Sequence, residues 1–409
     1  MTVDVHELQQ AAATRDAADP LREYRSLFHG ADDPASDVVS YLDGNSLGRP
    51  TIAATEAITA AVAQWSGRLI RGWDEQWMEL PLTIGDRIGS VVLGAAAGQT
   101  TVGDSTTVLL YKLARGALAM RPGRTEIVLD TDNFPTDRYV LEGVANELGL
   151  DLRWITVDPA SGVELDAARE AITERTALVV LSHVAYRSGY LADAEAITRV
   201  AHDAGALVLW DLCHSVGSVP IELDSWNVDF AVGCTYKYLN GGPGSPAFAY
   251  VAAEHLDVFR QPIQGWMGRR DPFEMGPGYV PAEGIRRVVS GTPAILGMVA
   301  MQSTIDLIER AGIGAVREKS VLLTEYLIDL TGELLPGVRI ASPVGAERRG
   351  GHITLDHPAF RDVTQRLWAR GVIPDFRAPQ GLRLGPSPLS TSFAEALVGV
   401  RAIAEELGR

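Results

Sequence analysis

The sequence predicts an α/β fold: a mainly parallel central sheet flanked by helices, with a smaller α+β domain beside it. Three observations carry that prediction. Between about residues 100 and 260, short β-rich runs alternate with helix-length segments, the signature of strand–helix–strand units. The runs are continuously apolar rather than alternating, as strands covered on both faces require. After about residue 300 the order changes to helices, strand pieces and helices, which reads as a second, smaller layer.

Taken in order, residues 1–50 are polar and loop-rich, and a helical pattern begins near Thr51 and carries Trp65, Trp73 and Trp77. The β-rich runs are Glu126–Leu129, Ala177–His183, Leu207–Leu212, Phe230–Thr235 and Ala247–Val251. Between two of them, Ala192–Ala204 places Ile197, Val200, Ala201 and Ala204 on one helical face, with Gly205 positioned as the cap. Helices over Met298–Ala311 and Ala315–Thr331 precede strand pieces at Arg339–Ala341 and Gly351–Asp356, and two more helices follow. The expected division is an N-terminal segment (1–55) that joins the small domain, a large domain (56–300) and a small C-terminal domain (301–409).

Composition narrows the class. The 409 residues suit two domains rather than one small core. A formal net charge of −16 argues against a nucleic-acid partner or an anionic membrane surface, since either needs a basic face. No apolar run approaches the roughly 18 residues of a membrane span, and the first residues lack the basic start and apolar stretch of a secretory signal. The two cysteines, Cys213 and Cys234, lie in apolar strand-like segments. Free buried thiols in the reducing cytoplasm are therefore expected. No CxxC or HExxH pattern points to a metal.

The chemistry concentrates in Cys234-Thr-Tyr-Lys-Tyr-Leu-Asn-Gly-Gly-Pro-Gly-Ser245 and, one strand upstream, Trp210-Asp-Leu-Cys-His-Ser215. Lys237 directly follows a buried strand and precedes a glycine-rich loop, so a reactive amine on a rigid base meets backbone that can approach a ligand closely. Alone, such a lysine would read as a surface residue beside a turn. Asp211 reverses that reading: a carboxylate at a strand's C-terminal end can keep a pyridine nitrogen protonated. Together they call for pyridoxal 5′-phosphate, whose aldehyde takes the amine and whose ring acts as an electron sink. Gly103-Asp-Ser-Thr-Thr107 precedes the apolar helix Val108–Met120, so Thr106, Thr107 and nearby N–H groups can hold a phosphate. In Asn133-Phe-Pro-Thr-Asp137, Phe134 can stack on the ring, while Thr136 and Asp137 offer hydrogen bonds.

These stretches, with Tyr41-Leu-Asp-Gly-Asn-Ser-Leu-Gly48 and Gln264-Gly-Trp-Met-Gly268, resemble kynureninase, a class V member of the fold-type I pyridoxal-phosphate enzymes, in consistent order from about residue 38 to the C-terminus. The resemblance implies that Lys237 bonds the cofactor and moves the substrate's α-proton, with Tyr236 as a catalytic acid/base. Tyr236, Thr107 and Thr106 would bind phosphate, Phe134 would stack, and Ser182 would lie near the ring. Asp211 would hold the ring nitrogen and His214 support the ring. Trp266 and Thr292 would reach the phosphate from a partner subunit, making the working unit a homodimer with shared sites. Arg383 would grip the substrate carboxylate, a task suited to its planar fork, with Asn45 and Trp73 as further substrate contacts. The implied reaction is hydrolytic Cβ–Cγ cleavage of L-kynurenine or 3-hydroxy-L-kynurenine. The alternative is a related class V enzyme acting on another β-acyl or β-thio amino acid. Arg269, Ala185, Ser390 and Leu109 depart from the family pattern and bear on the aryl group.

Overall fold

The computed structural model describes residues 5–408. Its strands, in chain order, are β1 (Ser40–Tyr41), β2 (Thr100–Gly103), β3 (Glu126–Asp130), β4 (Asp151–Ile155), β5 (Thr176–Ser182), β6 (Leu207–Asp211), β7 (Phe230–Gly233), β8 (Ala247–Val251), β9 (Arg339–Ile340), β10 (Ile353–Asp356), β11 (Val372–Ile373), β12 (Asp375–Arg377) and β13 (Gly381–Leu384). Strands β2 to β8 form one seven-stranded sheet in the order β2-β8-β7-β6-β5-β3-β4. The β4–β3, β3–β5, β5–β6 and β6–β7 pairings are parallel, and β8 runs antiparallel to β7 and β2. The fold is thus the expected one, a mixed, mostly parallel sheet flanked by helices.

The residues explain the sheet. Strands β3, β6, β7 and β8 are buried along their whole length, and two apolar clusters pack against opposite faces. One gathers Val128, Val208, Trp210 and Ala231; the other takes Ile127, Leu129, Leu207, Leu209 and Val232. This is the period-two division of a strand's side chains between two covered faces. The helix Ala194–Asp203 starts on Asp193, whose carboxylate accepts from the Ala196 N–H at 3.0 Å. It ends before Gly205, where φ is +75°, a conformation that favours glycine.

Four strands, in the order β12-β13-β10-β9, make a separate antiparallel sheet. The long helix Ile313–Leu334 and the helices Phe360–Ala369 and Phe393–Glu406 contribute to the apolar cluster that buries it. The N-terminal segment is tied to this part of the chain. β1 pairs with β11, and the Asp16 carboxylate accepts from the N–H groups of Phe393 and Ala394.

The structure differs from the sequence reading at three places. The helical pattern from Thr51 is not continuous through the tryptophans. The helix Ile52–Arg68 stops at Leu69, which takes φ +51°, and Trp73–Trp77 forms a separate wide turn. Gly72 permits that reversal, since a Cβ there would lie 2.6 Å from the Trp77 ring. The segment Met298–Ala311 splits into Ile295–Met298 and Met301–Ala311. Six strands went unread: in the large sheet β2, only four residues, and β4 (Asp-Leu-Arg-Trp-Ile), a half-exposed edge strand without a continuous apolar run, and elsewhere β1, β11, β12 and β13, of two to four residues.

Candidate active site

The C-terminal ends of β6 and β7 lie side by side, so the residues just beyond them meet. Asp211 closes β6, and one of its carboxylate oxygens accepts from the Cys213 N–H at 2.8 Å, turning the chain toward His214. Beyond β7, the backbone folds back through Asn240 N–H to the Lys237 carbonyl (2.9 Å) and Gly241 N–H to the Thr235 carbonyl (2.9 Å). That turn holds Lys237 7% exposed, with its Nζ 3.1 Å from His214 Nε2. Gly48 seals the far side. A Cβ there would lie 2.2 Å from the Lys237 carbonyl oxygen, so the N-terminal segment can press on the lysine turn only as glycine.

A cavity of about 210 Å³ opens at this point, lined by Thr106, Thr107, Phe134, Thr136, Asp137, Asp211, His214, Tyr236 and Lys237, with Asp104, Ser105, Cys213, Gly244 and Ser245 completing the wall. At one end stands the N-terminus of the helix Thr106–Ala119. Its cap, Ser105, accepts from the Val108 N–H, which leaves the first-turn N–H groups of Thr106 and Thr107 and both hydroxyls for an anion. At the other end Asp137 meets Asp211. Asp137 is fully buried and its Oδ2 has no donor. Burial, and then the neighbouring Asp211 carboxylate, holds its pKa well above the usual carboxylate range. The two acids close the end of the cavity opposite the anion cradle, an arrangement suited to a protonated ring nitrogen. Between the two ends, the Phe134 ring lies 6.0 Å from the Lys237 amine and packs edge-on to Tyr186.

The donor set thus fits pyridoxal 5′-phosphate: an anion cradle, an aromatic face, an amine and an acid pair around one cavity. His214 is held neutral, chiefly by burial and then by the Lys237 charge, well below the ordinary imidazole value. A neutral ring beside Lys237 is a partner that does not repel it. Burial likewise raises the Tyr236 hydroxyl, so it stays protonated.

The remaining predicted residues lie elsewhere. Ser182, at the end of β5 opposite Asp211, turns away to donate to Asn133 Oδ1 at 2.8 Å and lines a neighbouring recess. Asn45 and Arg383 are completely buried behind the lysine turn. Arg383 donates to the Tyr186 carbonyl (2.6 Å) and Ser46 Oγ (2.7 Å) and pairs with Asp375 (2.6 Å). Thr292 lines an adjoining cavity of about 230 Å³ that shares Asp104 and Gly244 with the first. Trp73 belongs to an apolar groove with Trp65, Trp77 and Ile295. Trp266 is 38% exposed and packs edge-on against Phe273, outside these cavities. Of the departures, Leu109 is core and Arg269 pairs with Glu274.

Cys213 and Cys234 are free, buried and adjacent: Cys234 N–H donates to Cys213 Sγ at 3.2 Å. Sequence reasoning missed Ser105 as the cap, although a serine just before the threonine pair signals one. It also missed Asp375 as the partner of Arg383 and His352 behind His214. Asp375 sits on a three-residue strand with no readable pattern, and His352 just precedes β10, where nothing local marks its neighbours.

Residues 92–372 match the aminotransferase class-V family. Kynureninase from Pseudomonas fluorescens is 38% identical over 98% of this chain and 94% of its own. The Burkholderia pseudomallei (strain 1106a) enzyme of the same name is also 38% identical, over 98% and 95%. Among solved structures, a mutant of C-DES with glycine covalently linked to its PLP cofactor superposes with a TM-score of 0.81 at 19% identity, covering 93% of this chain and 98% of that one. Apo cysteine desulfurase from Thermococcus onnurineus NA1 gives 0.78 at 21%, covering 90% and 94%. At those identities the likeness is one of fold. With near full-length similarity to enzymes of one name on a class-V framework, this chain belongs to the kynureninase family.

Proposed function

We propose that this protein is a pyridoxal 5′-phosphate enzyme that hydrolyses the Cβ–Cγ bond of L-kynurenine, or of 3-hydroxy-L-kynurenine, to release anthranilate or 3-hydroxyanthranilate and L-alanine. One observation carries the reading. Lys237, His214, Asp211 and Asp137 converge on a single cavity in a chain 38% identical to kynureninases along nearly its whole length.

When bound, the cofactor's protonated ring accepts the electron pair left on the substrate's α-carbon. Asp211, with Asp137 beside it, supplies the negative charge that keeps the ring nitrogen protonated. Thr106, Thr107 and Tyr236 hold the phosphate, Phe134 and His214 flank the ring, and Thr136 lies at its edge. With the cofactor bound, Lys237 would hold it through its amine and would move a proton at the substrate's α-carbon. Tyr236, still protonated at neutral pH, exchanges a proton at the substrate ketone. The water oxygen ends in the aryl product's carboxylate, and hydrogen ends in alanine's methyl group. Arg383 and Asn45 take the α-carboxylate, and Trp73 borders the aryl group.

The same reading makes the working unit a homodimer in which Trp266 and Thr292 of each protomer reach the other's phosphate site. Exposed Trp65, Leu69, Ile70, Phe273 and Met275 support it, because they offer apolar surface to a second copy. It divides the chain at 1–55, 56–300 and 301–409, and it puts the enzyme in the cytoplasm in tryptophan catabolism, where free thiols persist. A desulfurase needs a mobile thiol, and both cysteines here are buried at the sheet. The deciding experiment incubates the pyridoxal-phosphate-loaded protein with L-kynurenine and follows anthranilate fluorescence and alanine. Both products are expected in equal amounts, and a loaded protein that releases neither overturns the proposal.

A further inference from the structure

His352 is the buried polar group that the reading above leaves without work. It is fully buried, and neither ring nitrogen makes a well-formed hydrogen bond, the Tyr186 backbone being its one weak polar neighbour. Leaving such a group unpaired is unfavourable by an amount comparable to a lost hydrogen bond, so a partner arriving with a ligand is the economical explanation. The small sheet fixes what that partner meets. In the antiparallel β10–β13 pair Thr354 lies opposite Arg383, and alternation puts His352, two residues before Thr354, on the same face as Arg383. On its other side the His352 ring lies 5.7 Å from that of His214, which contacts the Lys237 amine. His352 therefore lies within electrostatic reach of both the Lys237 amine and the Arg383 guanidinium, the two groups expected to seat an α-amino acid.

Its surroundings are those of an unfinished anion seat. Arg383 has three of its bonds committed, but its Nε is unpartnered, and both side-chain polar atoms of Asn45 are unpartnered as well. Asn45 is fixed against β13's end, since a Cβ on Gly385 would fall 1.9 Å from Asn45 Oδ1. Two guanidiniums, Arg377 and Arg383, share the carboxylate of Asp375, and the buried Asp43 carboxyl also lies near Arg383. Burial, then Arg383 and Lys237, keep His352 well below the usual imidazole value. It enters the seat as a neutral N–H donor.

We infer that His352 is a substrate-binding residue, donating an N–H to the α-carboxylate of the amino acid that Arg383 grips. The inference rests on the reading that Lys237 and Arg383 seat an α-amino acid, but its test does not need kynurenine to be the substrate. His352→Met and His352→Gln have similar shapes and differ in the donor. Binding of L-alanine, read from the absorbance of the Lys237-bound cofactor, is compared with binding of ethylamine, which lacks a carboxylate. His352→Met should weaken alanine about ten- to hundredfold and leave ethylamine unchanged, with His352→Gln recovering most of the loss. The apoprotein of His352→Met should melt at or above the wild-type temperature, since an unpaired polar group has been replaced by an apolar one. Unchanged alanine binding, equal weakening of both ligands, or a Met variant that unfolds would each overturn the inference. Failure of anthranilate release in the wild type with alanine discrimination intact would instead remove only the substrate name.

Discussion

The two sheets contribute to the site in opposite conditions. At the end of the large sheet, the groups around the cavity already touch one another: Lys237 meets His214, Asp211 accepts from Cys213, and Asp137 faces Asp211. On the face of the small sheet, Arg383 Nε, the Asn45 amide, Asp43 Oδ1 and both His352 nitrogens are buried without partners. Lys237, His214, Asp211 and Asp137 are buried as the small-sheet groups are, so burial of these side chains alone does not explain the contrast. What differs is the ligand each expects. A resident cofactor is met by groups that hold their geometry through adjacent strand ends. A transient substrate is met by a wall left incomplete, whose unsatisfied polar atoms raise the energy of the empty state and favour the filled one.

Breaking the first region should cost most. Lys237→Ala should abolish cofactor attachment and lower turnover more than about a thousandfold, read by absorbance and anthranilate release. Asp211→Ala should still bind some cofactor but lose about a hundredfold in turnover, as expected when a fixed charge facing the reacting system is removed. A turnover loss below tenfold would separate the acid pair from the chemistry. In the second region, Arg383→Lys keeps the charge but loses the fork. It should raise KM about ten- to hundredfold while changing kcat little, and a kcat loss at constant KM would move Arg383 out of the carboxylate seat.

Legibility in the sequence followed the same divide. The cofactor half was readable because each residue sits at the end of a long buried run with its partner at a fixed place: Asp211 after Leu207, Lys237 after Phe230, and Thr106–Thr107 before an apolar helix. The substrate half is assembled by β10, β12 and β13, of four, three and four residues, and by the N-terminal segment brought to them from far along the chain. No local pattern announces such contacts, so Arg383 was reached through family resemblance and His352 was not reached at all. Ser182 marks a subtler limit: the resemblance puts it near the ring, and it does lie opposite Asp211, but its hydroxyl is taken by Asn133.

Two smaller effects sharpen the comparison. His183, with a pKa held down to about 4, chiefly by burial, and the similarly lowered His214 and His352 take up protons only in the unfolded chain. At these three sites the unfolded state binds more protons below about pH 6.5, so their contribution to apoprotein stability should fall as pH drops through that value, while the buried Asp43 and Asp130 carboxyls, raised to about 6 and about 7, act in the opposite direction. The slope is up to about 1.4 kcal/mol per pH unit for each histidine. Thermal melts of wild type and His183→Phe between pH 7 and pH 5 check the sign: wild type should lose stability relative to the variant as the pH falls. Ser182→Ala should be smallest, losing about 1 kcal/mol of stability in denaturant titrations with turnover within about threefold of wild type.

The central claim is the placement of one amine. Loading the protein with pyridoxal 5′-phosphate, reducing the bond with borohydride and mapping the labelled peptide by mass spectrometry tests it most directly. The account predicts a single pyridoxyl group on Lys237; a label on any other lysine, or none, would contradict it.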